Sequence, residues 1–104
     1  MSYAVFTTKT FDREVEKLDS DKQDRISKLF LQLRDNPQTG DQIRFKFFRE
    51  KRIDEKRVYY LIYDDLQIVL FVAVSGKKDQ RETINYIVKH FDEFREYAKK
   101  LVYN

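Results

Sequence analysis

From Ile68 the chain reads Ile-Val-Leu-Phe-Val-Ala-Val before it meets Ser75 and Gly76. A strand wet on one face alternates between apolar and polar residues. An unbroken run of this length fits a central strand covered on both faces. The preceding segment, Arg57 to Tyr63, is rich in Tyr, Val and Ile, and Asp64-Asp65 lies between the two. The pattern predicts an antiparallel hairpin of strands Arg57–Tyr63 and Gln67–Val74. Cations flank it: Arg52, Lys56 and Arg57 before, Lys77 and Lys78 after.

Upstream, Tyr3 to Thr8 is short, β-branched and aromatic, and reads as a first strand. Thr10 can cap a helix whose apolar positions Phe11, Val15 and Leu18 recur at helical spacing. Ser20 followed by Gln23 has the form of a capping box and opens a second helix. That helix carries Ile26, Leu29, Phe30 and Leu33 on one stripe and stops at Asn36-Pro37. So short a break makes the pair a helical hairpin with one apolar face. From Ile43 to Ile53 a strand is expected, with Ile43, Phe45, Phe47 and Ile53 on one parity and a mainly basic second face. After Gly76, Asp79 can cap a helix reaching about Val102, its stripe formed by Ile84, Ile87, Val88, Phe91, Phe94, Ala98 and Leu101. The predicted order is β-α-α-β-β-β-α. This is an α+β fold over residues 1–104, a small antiparallel sheet packed against an N-terminal helical hairpin, with a long C-terminal helix.

At 104 residues the chain can build one core but not two. A hydrophobic fraction of 41% and an aromatic fraction of 15% exclude a disordered chain despite 38% charged residues. The net charge of +3 is uninformative until it is located. Arg44 to Arg57 holds seven Lys or Arg against three acids, a local +4, so the remainder sums to −1. Such a stripe suits an anionic partner such as a phosphate backbone; the same cations would also keep a strand edge soluble. Without cysteine there is no disulfide, thiol nucleophile or zinc-thiolate site, which fits a reducing cytoplasm. The start MSYAVFTTKTF lacks the features of a signal peptide, and no run approaches the roughly 20 apolar residues of a membrane helix. A soluble, cytoplasmic protein is expected.

His90 is the sole histidine, with no spaced carboxylates around it, so no metal site is expected and His90 reads as structural. Two glycines, Gly40 and Gly76, cannot build a phosphate loop, and Ser75 lacks the flanking glycines of a nucleophile elbow. No cofactor is implied. What remains is Arg, Lys, Tyr and an occasional carboxylate. That set is adequate for RNA cleavage by the substrate's own 2′-hydroxyl. The protein then bends the strand, neutralises charge growing on the phosphorane and moves protons.

Arg52-Ile53-Asp54-Glu55-Lys56-Arg57-Val58-Tyr59-Tyr60, followed by the aliphatic strand and Ser75-Gly76-Lys77-Lys78, resembles the RelE/ParE superfamily of toxins. Arg52, Arg57 and Tyr60 fall at the arginine, arginine and tyrosine of that family's hairpin. Leu33-Arg34-Asp35-Asn36-Pro37 with Gly40 looks like its helix end and Asn-Pro-x-x-Gly turn. The RelE branch implies a ribosome-dependent mRNA endoribonuclease that is metal-free, inhibits translation and is neutralised by a cognate antitoxin; its partners would be the ribosome and mRNA. The ParE branch implies a gyrase inhibitor without catalytic residues; a third reading is an inactive relic that binds RNA or a partner protein. On the RelE reading Arg57 and Lys78, with Arg81 beside them, are the candidate catalytic residues. Arg49, Lys51, Arg52, Lys56 and Lys77 would hold flanking RNA, and Tyr60 or Tyr86 would transfer a proton. The chain departs from the family at Asp54 and Lys56, where the hairpin has glycine and an aromatic. It departs again at Ile84, where RelE-type enzymes have a tyrosine. Tyr86 lies about 200° further round the helix and cannot simply replace it.

Overall fold

The unbroken apolar run lies in the interior of a sheet. The computed structural model describes residues 2–103. Strand β1 (Ala4–Thr7) leads into helices α1 (Lys9–Glu16) and α2 (Ser20–Asp35) and a 3₁₀ turn at Pro37–Thr39. Strands β2 (Asp41–Ile43), β3 (Phe45–Ile53), β4 (Lys56–Tyr63) and β5 (Ile68–Ser75) come next, then helices α3 (Gln80–Lys89) and α4 (Phe91–Tyr103). The strands form one sheet in the order β1-β5-β4-β3-β2. With β1 on one side and β4 on the other, β5 sends Val69 and Phe71 into the core under α1 and α2. Ile68, Leu70 and Val72 enter a second core under α3 and α4. A strand buried on both faces has no use for alternation, which is why the run is continuous.

The α1–α2 core is aromatic at its centre. The rings of Phe11, Phe30 and Tyr60 surround Phe71 at 4.8–5.1 Å, and each such burial contributes about 1.5–3 kcal/mol. Both helices start one or two residues from the predicted caps. Thr8 caps α1, accepting from Phe11 N at 3.1 Å. Asp19 caps α2, accepting from Lys22 N at 2.9 Å. Gln23 closes no box with Ser20; its amide donates to the carbonyls of Val15 and Leu18 and so holds α1 against α2.

Three further features differ from the sequence expectation. The sheet is mixed, because β1 pairs parallel with β5 while the other pairings are antiparallel. The α1–α2 hairpin supplies the crossover that a parallel pair needs. The expected strand Ile43–Ile53 is two strands, divided where Arg44 takes a left-handed φ of 62°. There β2 folds back on β3, and the buried residue of the corner is Phe48, while Phe45 and Phe47 stay partly in water. The long C-terminal helix is broken at His90, whose φ and ψ are −109° and 18°. A straight helix from Asp79 to Val102 would run roughly 36 Å, past the 34 Å long axis of the molecule. The break turns α4 back over the sheet: Ala98 is buried, Phe91 and Phe94 pack on the second core, and Arg95 clasps Asp65 in the β4–β5 turn. His90 is structural, its Nδ1 lying 2.8 Å from Tyr86 O and its ring stacked on Tyr86.

Candidate functional site

Arg57 stands near the start of β4, opposite Arg52 on β3 and Ser75 on β5. It shares the parity of Tyr59, so it faces α3. Its side chain is only 14% exposed, and the nearest carboxylate, Glu50 on β3, lies 3.9 Å from Nε. That separation is an ion pair but not a hydrogen bond, so the guanidinium fork stays free among the described residues. Gln80, at the first turn of α3, donates to the same Glu50 carboxylate at 3.2 Å. Beneath them the Tyr59 hydroxyl and Ser75 Oγ lie 2.7 Å apart. Burial pushes the Tyr59 hydroxyl above its ordinary pKa, so it stays protonated near neutrality. Sheet and helix N-terminus thus meet around one half-shielded arginine.

Gln80 also borders an open cleft between the β2–β3 corner and α3, lined by Arg44, Lys77, Lys78, Arg81, Ile84 and one acid, Glu82. Ser75-Gly76 ends β5 and turns the chain, which places Lys77 and Lys78 before the helix and Arg81 in its first turn. Arg44 comes from the opposite wall, its guanidinium 3.5 Å from Asn85 Oδ1 on α3. The cleft therefore collects four cations, from the β2–β3 corner, the turn after β5 and the start of α3, with Arg57 behind Gln80 and Glu50.

The structure brings together Lys77, Lys78 and Arg81 from the expected set, sets Arg57 beside them across Glu50 and Gln80, and leaves the others apart. Arg52 faces the same side but is tied by Nε to Asp54 O at 2.9 Å. Arg49, Lys51 and Lys56 pair with Tyr60, Val58 and Ile53, residues of the α1–α2 core, and so belong to the other face. Arg49 is a brace, donating to Lys46 O and Gly40 O. Tyr60 is also on that face. It has no exposed surface, its hydroxyl donates to Pro37 O and accepts from Gly40 N, both at 2.8 Å, and burial raises its pKa. It stitches the Asn-Pro-x-x-Gly turn to the hairpin, its one proton engaged by Pro37 O. Tyr86, 56% exposed, looks into a separate groove over the end of β5, with Thr10 and Val74, whereas Ile84 lines the cationic cleft. Arg44 and Glu50 escaped the sequence reading of the site. Parity would have found Glu50, two residues from Arg52, but nothing local signals the corner at Arg44.

A free, shielded guanidinium beside a carboxylate, separated by Gln80 from a mainly cationic cleft, can hold a phosphate and offset charge developing on it. No family model matches the chain, and no curated protein does. Solved structures do match. A mutant of the E. coli toxin RelE in its free state aligns with a TM-score of 0.73 at 19% identity, over 86% of this chain and 98% of that one. The toxin–antitoxin complex RelBE2 of Mycobacterium tuberculosis aligns at 0.64 and 22% identity, covering 74% and 100%. The archaeal RelE–RelB complex from Pyrococcus horikoshii gives 0.63 and 17%, covering 74% and 97%. Over most of its length this chain has the fold of the RelE toxins.

Proposed function

We propose that this protein is a RelE-like toxin of a toxin–antitoxin pair, and that it cuts mRNA on the ribosome using the RNA's own 2′-hydroxyl. The 2′-oxygen bonds to the adjacent phosphorus and gives up its proton. The bond to the 5′-oxygen breaks, and that oxygen takes a proton, leaving a cyclic phosphate and a 5′-hydroxyl. Arg57 reaches the phosphate with its fork, and Lys78 and Arg81 share the growing negative charge. Lys77 and Arg44 hold flanking backbone. Glu50, whose carboxylate lies 3.9 Å from Arg57 Nε, accepts the 2′-hydroxyl proton in this reading. A neutralising antitoxin belongs to the same proposal, supported by the toxin–antitoxin complexes among the similar structures.

The observation that carries this reading is Arg57: largely buried, free of a hydrogen-bonded acceptor among the described residues, and set behind a cationic cleft. The test is purified protein added to ribosomes translating a defined message, with cleavage mapped by primer extension. Arg57→Lys keeps the charge and loses the fork, and is expected to lower cleavage by about 10²-fold with an unchanged melting temperature. Message left uncut at concentrations where the protein co-sediments with ribosomes would falsify the catalytic reading.

Ile84 on the cleft wall favours a second reading, a non-catalytic binder of the ParE or relic kind. Inhibition of gyrase supercoiling with messages intact would select the ParE form.

A further inference from the structure

Where β2 turns into β3 the chain reads Arg44-Phe45-Lys46-Phe47-Phe48-Arg49. Only Phe48 enters the core; Phe45 and Phe47 keep 42% and 37% of their surface in water. Their rings are stacked, with centroids 5.3 Å apart and planes 19° from parallel. Phe91 at the start of α4 holds both edge-on, at 5.8 and 5.1 Å. Two aromatic rings are therefore fixed in parallel at the surface. Arg44, the residue before them, is part of the cationic cleft wall.

We propose that the Phe45–Phe47 pair is a stacking platform for an unpaired base of an RNA whose phosphates lie in the cleft. The inference rests on the reading of that cleft as an RNA site and adds where a base goes. Single-stranded RNA is held by two kinds of group, cations that follow the backbone and flat rings that take the bases. Here they alternate along one strand corner. The rings are already oriented by Phe91, so a base meets an ordered surface. In sequence Arg44 and Lys46 flank the first ring and no acid lies between Asp41 and Glu50; the acids nearby are Glu82 on the cleft wall and Asp92 and Glu93 after Phe91. A protein docking on the same apolar patch is the competing occupant; the four cations of the adjoining cleft, against the single acid Glu82, favour a polyanion.

The test compares two fluorescein-labelled probes at two salt concentrations: a short oligoadenylate and an abasic oligomer of equal length. The double variant Phe45→Leu/Phe47→Leu is expected to bind oligoadenylate roughly 5- to 150-fold more weakly, the effect of one stacked base. Its salt slope should be unchanged, and the abasic probe should bind as before. Phe45→Tyr/Phe47→Tyr keeps flat rings and should retain affinity. Should the leucine variant fold poorly, 2-aminopurine in the oligomer reads stacking on the unaltered protein. Emission unchanged at saturation overturns the platform. So does equal weakening of both probes, which would mark the patch as corner support or a protein-docking face. Lys77→Ala/Lys78→Ala must weaken both probes and lower the slope by about 1.4, the single-strand value for two phosphate contacts. If neither probe responds to that variant, the cleft reading fails and takes the platform with it. A response there with none at the phenylalanines overturns the platform alone.

Discussion

Strand β4 carries two tyrosines for which one chemical change should have opposite effects. Tyr60 is fully buried and its hydroxyl is paired twice, to Pro37 O and to Gly40 N, at 2.8 Å each. Tyr60→Phe keeps the ring against Phe71 but strands a carbonyl and an amide. Each lost bond is worth about 0.5–1.5 kcal/mol, and unpaired buried partners add to that, so a cost of about 2–3 kcal/mol is expected. For a domain of this size that lowers the melting temperature by roughly 10–20 °C. Tyr63 is 7% exposed, yet its hydroxyl is buried with no hydrogen-bond partner among the described residues. Tyr63→Phe removes a desolvated dipole and leaves the ring beneath the Arg95 guanidinium, 5.4 Å from the ring centre. It should be neutral or stabilise by about 1 kcal/mol. Urea unfolding followed by far-ultraviolet circular dichroism measures both. Equal destabilisation by the two substitutions would refute the reasoning, since hydroxyl pairing would then not govern either site.

Burial also holds the hydroxyls of Tyr59, Tyr60 and Tyr63 above the ordinary tyrosine pKa of 10.0. The unfolded chain then loses these protons first, so stability is full below pH 10 and falls as pH rises above it. Each tyrosine adds a slope of about 1.4 kcal/mol per pH unit until its folded pKa is reached. Urea melts across an alkaline series should show the decline, and Tyr63→Phe should flatten it; a level profile would contradict the burial. A Cβ at Gly40 would stand 2.7 Å from Glu50 O and 2.8 Å from the Tyr60 hydroxyl. Gly40→Ala should therefore cost about 1–3 kcal/mol, read as a lower urea midpoint, and a midpoint that does not move would mean the corner relaxes freely. Phe91 is half-buried among Phe45, Phe47 and Phe48. Phe91→Ala should cost about 2–3 kcal/mol, less than a fully buried ring, and an unaltered thermal melt would show that α4 is loose on the sheet.

What the sequence disclosed, and what it did not, divides along the range of the interactions. The β5 run and the helical stripes were legible because burial of a whole strand or face writes a periodic pattern. Lys77, Lys78 and Arg81 could be grouped because one turn and one helical turn separate them. The break at His90 was not legible, since the stripe from Ile84 to Leu101 has uniform helical spacing and only the size of the sheet limits the helix. Nor was the split at Arg44, where an arginine takes a conformation that glycine or asparagine would have advertised. At Asp54, also left-handed with φ 55°, the resemblance gave a hint, for the family hairpin has glycine there. The pairing of Arg57 with Tyr60 as site partners was avoidable. Three residues apart on a strand, they point to opposite faces.

The parallel pairing of β1 with β5 joins Ala4 to Ile68, 64 residues later. Closing a loop of that length carries an entropic cost of roughly 3–4 kcal/mol, whereas the β4–β5 hairpin closes locally, so β1 is placed to dock late in folding. Until it does, Ile68 to Phe71 present unpaired amides and carbonyls along the most apolar strand in the chain. An edge of that composition is a template for strand addition by a second copy. The short segment Ala4–Thr7 thus acts as a guard against self-association: a protein whose N-terminal strand is trimmed or loosened would aggregate before it lost its helices.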